Sequence, residues 1–342
     1  MTTYRSTGAE PERQDGPPGA GVQLPNGRWK VGDEGRQPEV RPRLAKRFKA
    51  PPADVVINGA DVRTIAYRAA SFRGLNHQEL GEPRQDAYAV RFTRDQRWLV
   101  GCISDGVSEG ALSHEAAEAA VARIAEELVT SLTGAPPGDA VGDDWKAVVK
   151  SLPWDQAVDE ANAAIVDLAR SHLERTYQQK GKLDELGDVP FARARPLMSA
   201  TALALVVATE PTPDGFHRAA VAEIAGDSAG FVLHNGRWDA LTKIKNEGAE
   251  IYSGSVASLP SDVKVEPAAL EIRAGVPILV MTDGLGDPFG AGMGEVGKFL
   301  AEAWQRPPDL LEFAQQLAFY RKSFADDRTA LMVWTGVPEP SR

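Results

Sequence analysis

The sequence has a single cysteine, Cys102, and that scarcity excludes an internal disulfide. It also lacks any apolar run near the ~18 residues that a membrane-spanning helix needs. The opening stretch MTTYRSTGAEPERQDGPPGAG holds no apolar segment of signal-peptide type, so a cytoplasmic protein away from membranes is expected. Positive charge is in short supply as well. Lys and Arg number 38 against 48 Asp and Glu, a formal net charge of −10. That balance argues against a sequence-independent grip on nucleic acid or anionic lipid and makes a divalent cation a natural companion. No internal repeat divides the chain. What is present is 342 residues at 43% hydrophobic content, enough for one large domain or two small ones around a substantial core. Cys102 falls inside an apolar run and reads as a small core residue.

Residues 1–53 are rich in Pro, Gly and charge, with no sustained apolar period, and are expected to form a flexible arm. Its basic stretch RPRLAKRFK, 41–49, reads as a solvated charge run. A single domain is expected over 54–337, with 338–342 as a tail. Extended segments are predicted at VRTIAYRAAS, AYAVRF and WLVGCIS. A helix follows over 113–132 with Ser113 as its N-cap, and a second spans 154–179. Four strands come next, TALALVVAT, HRAAVAEIA, AGFVLHN and RWDALT, the last two joined by Asn235-Gly236, a strong hairpin signal. Beyond a less regular piece at 246–272, a strand reaches ILVMTDG, helical patterns occupy 294–304 and 308–320, and TALMVW closes the domain. Strands grouped together with helices around them indicate an α+β layered domain rather than strict βαβ alternation.

Acidic residues stand at the edges of four apolar strands: Asp86 in RQDAYAV, Asp105-Gly106 in CISDGVSEG, Asp283-Gly284 in VMTDGLGD and Asp326-Asp327 in ADDRTALMVW. Taken singly, each Asp-Gly is a common turn. Gathered at one point, the carboxylates would repel one another once desolvated and would need a compensating cation, and few basic residues lie nearby. Mg²⁺ or Mn²⁺ meets that need with oxygen ligands alone.

In order, QDA, SDGVSEG, AGDSAGFVLHNGRW, LVMTDGLGDP and DDRTALMVW resemble the signature of the metal-dependent PP2C-type (PPM) protein serine/threonine phosphatases over roughly 63–335. The first box, GLNHQELGEPRQDA, is similar to that of a bacterial branch in which a His, a Gly-x-Pro and Gln-Asp replace Arg and Glu-Asp. The resemblance implies an α-β-β-α sandwich of two mainly antiparallel sheets flanked by helices, with the metals in a cleft at one edge. It implies two Mn²⁺ or Mg²⁺ ions, bridged by Asp105. The Gly106 carbonyl would serve one ion, Asp283 and Asp326 would complete the other, and Asp86 would act through water. His77 and Arg84 become candidates for contact with the substrate phosphate, Arg84 because a planar fork matches phosphate oxygens.

The chemistry so implied is direct attack of water on a phosphoserine or phosphothreonine ester. Two cations lower the pKa of a shared water and stabilise the transferring phosphoryl group, so no nucleophilic side chain is required. The expected partners are proteins phosphorylated by a serine/threonine kinase, met by a cytoplasmic monomer that binds neither nucleic acid nor membrane. Two departures from the family pattern bear on activity. No acid lies within 191–200 to build a third metal site, and Gln85 in place of Glu removes a negative charge from the first box. A catalytically silent phosphoprotein-binding module on the same fold is therefore the rival reading. A nucleotide site at GLGDPFGAGMGEVGK is disfavoured because that loop lacks the Gly-Lys-Ser/Thr ending of a P-loop. Residues 246–267 fall where relatives carry a variable flap, and are expected to influence substrate choice.

Overall fold

A computed structural model describes residues 21–24, 27–33, 40–45, 52–107, 110–133, 145–243 and 257–339. Most of the N-terminal segment, residues 246–256 of the flap segment and residues 340–342 lie outside them. In chain order the strands are β1 (Val22–Gln23), β2 (Trp29–Lys30), β3 (Val55–Val62), β4 (Ile65–Phe72), β5 (Ala87–Phe92) and β6 (Trp98–Ser104). They continue with β7 (Ala202–Ala208), β8 (Phe216–Ala225), β9 (Ala229–His234), β10 (Arg237–Ala240), β11 (Ala268–Arg273), β12 (Ile278–Met281) and β13 (Arg328–Thr335). The helices are α1 (Leu75–Leu80), α2 (Ser113–Leu132), α3 (Trp145–Ser151), α4 (Trp154–Gln179), α5 (Phe191–Ala194), α6 (Asp283–Phe289), α7 (Glu295–Ala303) and α8 (Leu310–Leu317). Among the described residues none is both long and apolar enough to cross a membrane.

Two antiparallel sheets, ordered β10-β9-β12-β13-β4-β3 and β11-β8-β7-β6-β5, pack face to face. Ile65, Tyr67, Leu99, Ile103, Leu203, Leu205, Val207, Leu331 and Val333 fill the layer between them. The outer face of the second sheet, with Cys102, Ala202, Ala204 and Val206, packs on α2 and α4 through Ala116, Ala120, Ala157 and Ala161. On the other side, Ala330, Met332 and Trp334 meet Phe289, Phe299, Trp304 and Phe313 from α6, α7 and α8. The result is the α-β-β-α sandwich. Because both faces of the central strands are covered, those strands read as continuous apolar runs instead of alternating ones. Register is then set by size. In β7 the leucines face the other sheet and the alanines face the helices, so a one-residue slip would drive leucines into the close helix layer.

The Asn235-Gly236 turn joins β9 to β10, pairing His234 with Arg237, and both turn residues have positive φ, 50° and 74°, as a type I′ hairpin requires. Three expectations differ from what is found. Ser113 does not cap α2. Leu112 holds the cap position, and the Ser113 hydroxyl donates to the Val107 carbonyl at 2.6 Å, tying the helix to the loop behind Asp105. The irregular piece at 246–272 gives way to edge strand β11 from Ala268, and Val55–Val62 pairs with β4 as the opposite sheet's edge strand. Both edges are half-solvated, so their apolar signal is weak. Within the N-terminal segment, Val31 is buried, Trp29 packs on Phe299 at 5.2 Å, and the Arg43 amide donates to the Gln78 carbonyl at 2.9 Å.

Candidate metal centre

Antiparallel pairing brings the acidic strand ends to one edge of the sandwich. Ala87 pairs with Ser104, so Asp86 before β5 and Asp105 after β6 emerge side by side. In the other sheet Met281 pairs with Ala330, which sets Asp283 after β12 beside Asp326 before β13. The four carboxylates converge across the two sheets: Asp86, Asp283 and Asp326 all act electrostatically on Asp105. Burial grades outward, with Asp86 2% exposed, Asp105 and Asp283 partly covered and Asp326 open to solvent.

Desolvation, followed by the Asp327 charge, pushes the Asp86 carboxyl up to about 8, against the hydrogen bonds it accepts from Thr282 and Thr329. Asp105 is raised well above the usual carboxylate range, first by desolvation and then by the charges of Asp86 and Asp283. Burial and mutual repulsion thus disfavour ionisation of both inner carboxyls together. The backbone of Asp105 is locked to the start of β7: its amide donates to Thr201 Oγ1 at 2.9 Å, and its carbonyl accepts from the Thr201 amide at 2.8 Å.

The glycines behind the aspartates serve close approach rather than unusual φ. A Cβ on Gly106 would sit 2.8 Å from the Ser113 carbonyl and 2.9 Å from the Gln85 carbonyl oxygen. On Gly284 it would lie 1.8 Å from the Asp327 carbonyl oxygen. Asp283 opens α6, with Thr282 in the N-cap position, instead of ending a simple turn.

His77, Asp326 and Asp327 form a group whose ligand atoms lie within 4.8 Å of one another. Asp327 is already committed. Its Oδ1 accepts from the Gly74 amide at 2.5 Å and meets His77 Nδ1 at 2.9 Å, while Oδ2 accepts from the Gln85 amide at 2.5 Å. Burial by itself would lower the His77 pKa, but the Asp327 hydrogen bond and the charges of Asp327, Asp326 and Glu82 outweigh it and raise the group. Gln85 is buried, and its Oε1 finds no hydrogen-bond partner among the described residues.

Arg84 is 5% exposed and its donors face inward. Nε donates to the Ala53 carbonyl at 3.0 Å, and Nη1 donates to Ser71 Oγ at 2.8 Å and to the Asp86 carbonyl. Sequence reasoning gave no place to Ser71, Thr282 and Thr329, the buried hydroxyls beneath Asp86. They are scattered across 258 positions, and no local pattern links them. Arg328, also unremarked in the sequence, donates to the carbonyls of Gly284, Leu317, Phe319 and Phe324 and stacks 4.1 Å from the Phe319 ring, fastening α6 to the loop before Asp326.

The fold and its edge of carboxylates define a layered α-β-β-α protein that gathers hard-oxygen donors from both sheets. The chain belongs to the protein phosphatase 2C family, whose model matches residues 73–318. No curated protein matches it. Among solved structures it is similar to the catalytic domain of the serine/threonine protein phosphatase PstP in complex with two manganese ions. That similarity has 21% identity, 79% of this chain and 97% of that one covered, and a TM-score of 0.46. A structure of the Mycobacterium tuberculosis phosphatase PstP/Ppp gives 20% identity, 80% and 99% coverage and 0.45. PppA, a regulatory component of the T6SS in Pseudomonas aeruginosa, gives 16%, 81% and 100%, and 0.45.

Proposed function

We propose that this chain is a phosphoprotein phosphatase that hydrolyses phosphoserine and phosphothreonine with two divalent cations, Mn²⁺ or Mg²⁺. The observation that carries the reading is the convergence of Asp86, Asp105, Asp283 and Asp326, where the charges acting most strongly on Asp105 are all carboxylates. The donor set fits the cations: it offers oxygen alone, it is anionic, and its inner members are too desolvated to ionise together without a compensating charge.

In this reading Asp105, Asp283, Asp326 and the Gly106 carbonyl would hold the cations, with Asp86 placed to act through water. Cations so held would supply a water of lowered pKa and neutralise charge on the phosphoryl group. The chain's own residues supply position. Thr282 donates to Asp86 Oδ2 at 2.8 Å and keeps that carboxylate in one orientation. His77, tied through Nδ1 to Asp327, has Nε2 3.9 Å from Glu82 and is the candidate for contact with the substrate phosphoryl oxygens.

The test is hydrolysis of a phosphothreonine peptide in Mn²⁺ and in EDTA, for the wild type and Asp105→Asn. Turnover that needs Mn²⁺ and falls at least about a thousandfold in the variant is expected, since a lost charge at a preorganised electrostatic site costs about 4 kcal/mol of barrier. Metal or phosphopeptide binding without turnover in the wild type would transfer the chain to the silent-module reading.

Residues 246–267 are proposed to bias the choice of protein substrate. The end of this segment is fastened near the centre: Leu259 pairs with Ala200, which in turn bridges Gly106, and Asn162 bonds both the amide and the carbonyl of Ser261. Exchanging residues 246–256 for an unrelated loop is expected to alter protein-substrate preference while hydrolysis of a small aryl phosphate persists. Equal loss on both substrates would count against the proposal.

A further inference from the structure

We infer that Asp327 is a positioning residue for the carboxylate centre: its two oxygens clamp the His77 helix and the Gln85-Asp86 loop to the corner that carries Asp326. The inference rests on the reading that Asp86 and Asp326 serve a cation site. Asp327 is 2% exposed, and Gln85 and His77 are 5% and 6% exposed.

Three donors meet the two oxygens. The Gly74 amide donates to Oδ1 at 2.5 Å, and the Gln85 amide donates to Oδ2 at 2.5 Å. A backbone amide can only donate, so both oxygens must accept. His77 Nδ1 lies 2.9 Å from Oδ1. Because a carboxylate accepts only, the hydrogen-bond network assigns the ring proton to Nδ1 and leaves Nε2 for other partners.

The donors come from two separate parts of the centre. Gly74 stands at the start of α1, which is pressed onto the Asp326 corner: the Asn76 amide donates to the Ala325 carbonyl at 3.0 Å, and a Cβ on Gly74 would lie 2.3 Å from the Asp326 carbonyl carbon. Gln85 directly precedes Asp86, so holding its amide holds the chain at that carboxylate. The Asp327 amide in turn donates to Asp326 Oδ1 at 2.9 Å. Through one residue, His77, Asp86 and Asp326 keep a common frame.

Shape alone would accept asparagine, which has the same size and avoids burying a charge. The arrangement of donors rejects it. An amide side chain offers an acceptor on one side and two donors on the other, so one of the two backbone amides would face an NH₂ group. Asparagine can therefore hold α1 or the Gln85-Asp86 loop, whereas the carboxylate holds both.

The test is nitrogen NMR of the full chain in EDTA, under alkaline conditions where imidazole is neutral, with calorimetric Mn²⁺ titration of the same proteins at neutral pH. In the wild type the His77 proton is expected on Nδ1, and the Gly74 and Gln85 amide protons are expected downfield, as hydrogen bonds to a carboxylate place them. Asp327→Asn should lose at least one of these three signatures and should weaken Mn²⁺ binding about ten- to a hundredfold. A wild type with the His77 proton on Nε2 would overturn the clamp, whether or not the variant folds. So would an Asp327→Asn protein that keeps all three signatures, or one that binds Mn²⁺ as the wild type does. A wild type that shows the signatures but takes up no Mn²⁺ overturns the cation reading and the clamp's role in it, and the spectrum separates that failure from failure of the clamp itself.

Discussion

Asp105→Asn is expected to make the metal-free protein more stable while removing its stabilisation by Mn²⁺. In the folded, metal-free state desolvation and the neighbouring charges hold Asp105 well above the ordinary carboxylate range and push Asp86 up to about 8. A carboxyl with a raised folded pKa keeps its proton where the unfolded chain has released it. Stability is therefore lost as pH rises from about 4, the unfolded value, towards about 8, at roughly 1.4 kcal/mol per pH unit for each such proton. Asparagine removes one of these groups and keeps the volume. In EDTA, melting temperatures of the wild type should fall between pH 5 and pH 8, and those of Asp105→Asn should fall less steeply. Saturating Mn²⁺ should raise the wild type by several kcal/mol, since ligand at about a hundred times its Kd contributes about 2.7 kcal/mol per site, and should leave the variant nearly unmoved. A variant less stable than the wild type in EDTA at pH 8 would mean that the carboxylates do not repel as described.

Two glycines within the same helix are expected to respond to alanine with opposite signs. A Cβ on Gly284 would lie 1.8 Å from the Asp327 carbonyl oxygen and 2.9 Å from its carbon, backbone that Arg328 and the β13 ladder hold in place. Gly284→Ala should therefore destabilise by about 3 kcal/mol or more, above the usual range for overpacking, and should displace Asp326 from the centre. Gly286, two residues on in α6, has no atom within 4 Å of its Cβ position, and Gly286→Ala should stabilise by about 0.5–1 kcal/mol through helix propensity. Denaturant unfolding of both variants in EDTA measures the difference. Equal effects would contradict the close approach of α6 to the Asp326-Asp327 corner.

Where a signal was local, the sequence carried it. The helices over Ser113–Leu132 and Trp154–Gln179 have enough turns to show their periodicity, and Asn235-Gly236 names its own turn type. The four aspartates were legible because each adjoins a recognisable strand: Asp105, Asp283 and Asp326 adjoin strands buried on both faces, and Asp86 precedes β5, whose burial alternates at its start. Edge strands β3 and β11 were not, since half-solvated strands lose the apolar contrast that marks them. The six-residue helix carrying His77 is too short to display a period. Arg84 shows the deeper limit. Its place under Asp86 follows from register that joins Ser71 to Thr329 across the β4–β13 pair, and a buried guanidinium looks the same in sequence as a solvated one. Gly106 and Gly284 stand out in the sequence behind their aspartates, but the reason for them, a neighbouring backbone too close for a Cβ, exists only once the sheets are assembled.

On the proposed reading, Asp105, Asp283 and Asp326 would hold two cations at the edge of the sandwich. Anomalous diffraction at the manganese edge, from crystals of the wild-type chain grown with Mn²⁺, tests it most directly. Two peaks among these carboxylates and the Gly106 carbonyl are expected. A single peak at His77, Asp326 and Asp327, or none among the four converging carboxylates, would contradict it.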